Sequence, residues 1–203
     1  MDVTLDELAI TSIRGATRDR HIALESALAL FPVLSHARYL RALRGFELFL
    51  SAWEPRIEAA LPTALRDDFA SRSRLGLLRK DLALLDADRV VPGDLGKACS
   101  QAMATIDLTS AAATFGSMYV LEGSALGGRI VAAAASASLG LDVDNGAAYF
   151  HGLDRHTAAR WASFRALLEE HVGSEPLSRA QACAAACQTF DALTCVFSTR
   201  LPS

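Results

Sequence analysis

The stretch KACSQAMATIDLTSAAATFGSMYVLEGSALGGRIVAAAASASLG, Lys97–Gly140, decides the fold. It is rich in alanine and predicts helix nearly throughout, with a break around Asp107 to Ser110 and Gly140 as the C-cap. Its most apolar part, Ile130 to Leu141, is shorter than the roughly 20 residues a bilayer-spanning helix needs and reads as a buried core helix. The same bias runs through the whole chain. Alanine (38) and leucine (30) make up a third of the 203 residues, and 51% of the chain is hydrophobic. Such a composition excludes disorder and favours helix over sheet. No repeat, linker or composition shift divides the chain, so residues 1–203 read as a single all-α domain, a bundle of about seven helices.

Outward from that stretch, Thr4 and Glu7 form a capping-box pattern ahead of a first helix running from about Leu5 to Leu30. Ile10, Ile13, Thr17, His21, Leu24 and Leu28 make its stripe. A second helix opens at the N-cap Ser35 and carries the clearest stripe, Tyr39, Leu43, Phe46, Leu50, Trp53 and Ile57. Arg41, Arg44, Glu47 and Glu58 form its solvated face, and Pro55 implies a kink or local break. Residues 62–72 read as a connector with a helical turn, followed by a short helix from Ser73 to Leu85. Asp86 to Gly96 is a loop, and Asp142 to Gly152 a turn-rich connector. Helix resumes from Arg155 to Val172. The last helix, starting at Ser178, shows the stripe Cys183, Cys187, Phe190, Thr194, Phe197 and Leu201.

With 20 basic and 23 acidic residues the chain lacks the cationic excess of a nucleic-acid binder. The acidic N-terminus does not resemble a signal peptide, and four cysteines in such a chain are expected as free thiols, so a cytoplasmic location without membrane association is expected. Cys183 and Cys187 have no nearby His to complete a zinc set. No nucleophile-elbow motif or di-iron Glu-x-x-His pair is present.

Two features carry chemistry. His21 lies on the stripe of the first helix with Glu25 one turn on, placed to accept an imidazole N–H and fix its tautomer. Arg18 and Arg14 lie three and seven residues before it. A core histidine beside a solvated arginine face is one reading; an iron ligand beside carboxylate-binding guanidiniums, as haem requires, is the other. The second feature is YVLEGSALGG, Tyr119 to Gly128. Gly116, Gly123, Gly127 and Gly128 together cost about 3–4 kcal/mol relative to alanine in a helix. Gly116, Gly123 and Gly127 fall within about 40° of one another at 100° per residue, which clears one face. Either a flat ligand or another helix can occupy such a face.

Together IRGATRDRHIALE (Ile13–Glu25) and YVLEGSALGGRIV (Tyr119–Val131) resemble the proximal and distal helices of haem (heme) oxygenase, and similarity covers essentially the whole chain. LRKDLALL (Leu78–Leu85), Tyr149–Phe150 before a glycine, and Thr189–Phe190 add to the resemblance. The bacterial branch with EGS-x-LGG is nearest, including enzymes that supply biliverdin to bacterial phytochromes. This resemblance implies haem b as cofactor and substrate, with iron ligated by His21 and Glu25 behind it. It implies Arg14, Arg18 and Tyr119 at the propionates, Gly123, Ser124, Gly127 and Gly128 as the distal wall, and Phe190 as a pocket wall. Ser124 stands where the mammalian-type family has an Asp, so the proton relay is expected to use water and other groups, Arg79 among them. A second basic patch is expected from Arg155, Arg160 or Arg165.

The implied reaction is haem cleavage with O2 and electrons from a ferredoxin or reductase, yielding biliverdin, CO and Fe²⁺, with a bacteriophytochrome as biliverdin acceptor. A non-catalytic haem-binding or signalling protein on the same fold is the alternative, raised by Ser124. A related helical fold acting on thiamin-like compounds is a third reading.

Overall fold

Local signals fold this chain into helices, and long-range side chains finish their ends. The computed structural model describes residues 8–31, 34–85, 93–152 and 157–198, and every regular element among them is helical. The elements are α1 (Ala9–Leu28), α2 (His36–Ala60), α3 (Thr63–Arg72), α4 (Leu75–Leu85), α5 (Gly93–Ala104), α6 (Ala111–Leu139), α7 (Ala148–His151), α8 (Thr157–Val172) and α9 (Pro176–Ser198). Helix α9 is central, packing most extensively on α6 and α1, while α8 covers α6 and α2 packs on α4 and α5.

The predicted caps Ser35 and Gly140 are present. Ser35 Oγ accepts the Arg38 amide at 3.3 Å, and Gly140 adopts the left-handed conformation at φ 68° that closes α6. The Thr4–Glu7 box lies outside the described residues. At the start of α1 the cap comes instead from α8: Glu169 accepts the Ala9 and Ile10 amides at 2.9 and 3.1 Å. A carboxylate there satisfies two orphan donors and complements the positive end of the helix dipole.

Several expectations are corrected. Helix α2 continues through Pro55 to Ala60 without a break, the proline sitting on the exposed side. Arg41 is not simply solvated; it donates to the carbonyls of Ala27 and Phe197 and so joins the C-terminal ends of α1 and α9. The 62–72 connector is a ten-residue helix, α3. Helix α5 already begins at Gly93, inside the expected loop, and the Asp142–Gly152 connector contains α7. The buried face of α9 is rotated from the predicted stripe: Ala182, Ala186, Thr189, Phe190, Leu193 and Phe197 are buried, while Cys183 and Cys187 are only partly covered.

A buried polar chain locks the three central helices. Trp53 Nε1 donates to Ser117 Oγ at 2.9 Å, Ser117 lies 2.7 Å from Thr189 Oγ1, and Thr189 donates to the Ala185 carbonyl at 2.7 Å. Thr189 has one proton and spends it on Ala185, so Ser117 must donate to Thr189. Every hydroxyl is then satisfied, and α2, α6 and α9 are held in one register. No helix among the described residues is long and apolar enough to cross a membrane.

Candidate functional site

Helix α1 buries Ile10, Ile13, Thr17 and Leu24, whereas His21 on the same predicted stripe stays open, with 61% of its side chain exposed. Its Nδ1 lies 3.5 Å from Glu25 Oε1, long for a hydrogen bond but near enough for the carboxylate to orient the ring. The ring meets Phe190 of α9 edge to face, centroids 5.8 Å apart, and Phe190 itself is buried. Nε2 has no hydrogen-bond partner among the described residues. The result is an imidazole braced on one side and open on the other, the requirement for a neutral ligand to a metal. Arg14 and Arg18 are exposed on the same helix. Arg20, by contrast, is committed to Asp191 of α9 at 2.9 Å, which holds α1 against its neighbour.

The glycines of α6 divide by role. A Cβ on Gly116 would lie 2.1 Å from the Ala182 carbonyl oxygen, so this glycine lets α9 cross in backbone contact. One on Gly128 would lie 3.0 Å from the Phe150 oxygen, which assigns it to the α6–α7 contact. Around Gly127 there is nothing within 4 Å, and Gly123 would meet only the Trp161 ring, at 3.8 Å. Gly123 and Gly127 therefore open a bare length of helix four residues apart, between two glycines used for packing. Tyr119, one turn before Gly123, sets its ring 5.9 Å from Trp161.

Helix α9 links the two sides: Phe190 touches His21 of α1, and the adjacent Thr189 bonds Ser117 of α6. Helix α7 steadies α6 from another direction. Its first amides, Ala148 and Tyr149, donate to the fully buried Asp81 of α4 at 3.0 and 2.7 Å, and Tyr39 donates to the Gly146 carbonyl at 3.0 Å. Burial holds the Asp81 carboxyl above its usual range even though those amides draw it the other way.

Behind the bare length of α6 lies a polar network. Arg72, its side chain only 4% exposed, binds Asp68 at 2.7 Å, Glu122 at 3.4 Å, the Arg160 carbonyl at 3.2 Å and Ser163 at 3.3 Å. Arg74 donates to the Leu121 carbonyl at 2.9 Å and to Ser124 Oγ at 3.0 Å, with its guanidinium 5.0 Å from the centre of the Tyr149 ring. Glu54 accepts from Ser73 at 2.9 Å. Glu54, Arg72, Arg74, Glu122 and Arg160 all border a cavity of about 50 Å³. Burial raises the Glu54 and Glu122 carboxyls above their ordinary range, outweighing the nearby guanidiniums.

Arg79, expected in a distal network, instead faces Ser51 at 3.2 Å and Glu47 at 3.7 Å. Of the three candidates for a second basic patch, Arg155 lies outside the described residues and Arg165 is exposed. Arg160 donates to the Ser71 carbonyl at 2.6 Å. Sequence reasoning missed Arg72, Arg74, Glu122 and Glu54. The available signals were an acid inside an apolar glycine helix and the Asp68–Arg72 spacing of four.

These residues fit haem. An open, carboxylate-braced imidazole suits iron, exposed arginines suit propionates, and helix backbone stripped of side chains suits close approach by a flat ring. The comparisons agree. The profile of the family described as Heme oxygenase matches residues 7–199. A heme oxygenase of Xanthomonas campestris pv. campestris (strain 8004) is 34% identical over 152 residues, covering 73% of this chain and 78% of that protein. The structure of a heme oxygenase from Leptospira interrogans superposes with a TM-score of 0.78 at 20% identity, over 95% of this chain and 99% of the other, which shows a shared fold. The chain belongs to the haem oxygenase family of haem-degrading enzymes.

Proposed function

We infer that this enzyme opens haem b with O2 and electrons from a ferredoxin or reductase, releasing biliverdin, CO and Fe²⁺. The observation carrying this reading is His21, exposed, with Nδ1 beside Glu25 and Nε2 open. When bound there, haem supplies both the ring to be cut and the iron that activates O2. His21 offers Nε2 as the iron ligand, and Glu25 keeps the proton on Nδ1 so that Nε2 carries the lone pair. Arg14, Arg18 and Tyr119 take the propionate carboxylates and so set the rotation of the ring in its site. Phe190 packs beside the imidazole.

On the other side Gly123 and Gly127 admit the ring edge to the backbone, with Gly128 holding that wall against α7. Ser124 donates its only proton to the Leu121 carbonyl at 2.7 Å while accepting from Arg74. Its hydroxyl is therefore committed, and protons for the reaction come from water around the polar groups behind α6. Cytoplasmic supply of biliverdin to a bacteriophytochrome is the role the bacterial EGS-x-LGG likeness supports.

The purified protein with one equivalent of haem, a reductant and air tests the reading. Decay of the Soret band with growth of biliverdin absorbance in the red supports it. A persistent oxy-haem spectrum would mean a haem binder that does not turn over, and failure to bind haem would return attention to thiamin-like ligands.

A further inference from the structure

Helix α6 is weakest where it is barest, because glycines at 123, 127 and 128 lose more backbone freedom on folding than any other residue would. No side chain of Gly123 or Gly127 anchors this length, so its position must be imposed by neighbours. Arg74, just ahead of α4, reaches both the Leu121 carbonyl at 2.9 Å and Ser124 Oγ at 3.0 Å, and Ser124 closes the triangle by donating to the same carbonyl at 2.7 Å. The guanidinium is itself seated over the Tyr149 ring, whose amide is fixed by the buried Asp81. A rigid fork on a fixed aromatic seat thus grips the turn that brackets Gly123.

The geometry points to Arg74 as the residue that sets where the bare wall of α6 stands, and through it which edge of the haem ring is opened. This positioning role rests on the haem-cleaving reading above. A wall displaced by about 1 Å would favour a different meso position, because misplacement of reacting atoms on that scale costs about a hundredfold in rate. Arg72 binds the side chain of Glu122, the residue after Leu121, and anchors the back of the helix to α3 and α8; among the described residues only Arg74 holds both the Leu121 carbonyl and the Ser124 hydroxyl.

Arg74→Met keeps the packing over Tyr149 and removes both hydrogen bonds; Arg74→Lys keeps one donor. In the haem-free protein, amide hydrogen exchange over 121–128 should quicken at least tenfold in Arg74→Met, while the α9 amides stay within twofold. In the haem-loaded enzyme the ratio of biliverdin isomers, separated by chromatography, should change at least threefold and move back towards wild type in Arg74→Lys. An unchanged isomer ratio, or unchanged exchange over 121–128, overturns the assignment. Should Arg74→Met fail to fold, Arg74→Lys decides through the same two measurements, a smaller shift in the same direction being required. If the wild-type protein forms no biliverdin, the haem-cleaving reading fails, while the exchange measurement still judges Arg74.

Discussion

Helices α1 and α6 present opposite kinds of surface. α1 offers one atom at the end of a side chain, His21 Nε2, and its other groups hold it: Ile13, Thr17 and Leu24 are buried, Arg20 binds Asp191, Glu169 takes its first amides and Arg41 its Ala27 carbonyl. Helix α6 offers backbone at Gly123 and Gly127, so that stretch lacks the side chains that would otherwise anchor it. Neighbours hold it instead: α9 crossing at Gly116 further along the same face, α7 against Gly128, and Arg72 and Arg74 behind. A presented side chain can reach out from a helix that its other side chains secure. A presented backbone requires support from its neighbours along the bare stretch, because Gly123 and Gly127 place no side chain in the core there, although Phe115, Met118, Val120 and Leu121 before them do.

The sharpest way to break this contrast is His21→Ala. The side chain is mostly exposed, so stability should stay within about 0.5 kcal/mol of wild type while the Soret band shifts and turnover is lost. An unaltered Soret band and turnover would remove His21 from the site. Two identical substitutions within α6 come next. Gly116→Ala forces a methyl into the Ala182 carbonyl and should cost at least about 1–3 kcal/mol in denaturant unfolding. Gly127→Ala meets nothing and should stabilise the haem-free protein by about 0.5–1 kcal/mol while weakening haem binding. Equal effects at the two positions would mean that the glycines share one role.

Smaller than the Gly116 effect is that of Glu169→Ala, which strips the cap from α1 and should cost about 0.5–2 kcal/mol, with faster hydrogen exchange confined to the start of α1. The smallest effect concerns pH. Because burial raises the Glu54 carboxyl, its contribution to stability is fully present below the ordinary carboxyl range and is lost as pH rises through the raised value. Thermal unfolding of haem-free Glu54→Gln should therefore gain on wild type as pH rises from 4 towards 8. A difference that shrinks instead would show that Glu54 gains more from its partners than burial costs it.

Much of α1 and α6 is legible in the chain because their signals are local. Ser110 and Gly140 bound α6 by cap chemistry, and the His21–Glu25 pair follows from helical spacing alone. What spacing could not show is that the stripe of α1 leaves His21 open while burying Thr17 before it and Leu24 after it. Whether a stripe position is covered depends on where α9 runs, and α9 meets His21 with only the edge of Phe190. Pro55 likewise marks a weakness whose outcome depends on its exposed setting. Nothing local marks Arg74, and Arg72 shows only its spacing from Asp68, since their other partners lie 47 to 91 residues away.

The helical class, the main helix boundaries and the two segments proposed to meet the haem follow from local sequence, because propensity, caps and periodicity act over a few residues. Long-range packing settles which glycines pack and which stand open, and which charges hold α6. Those depend on atoms brought together from α3, α4, α7, α8 and α9, and local spacing carries no information about such distances.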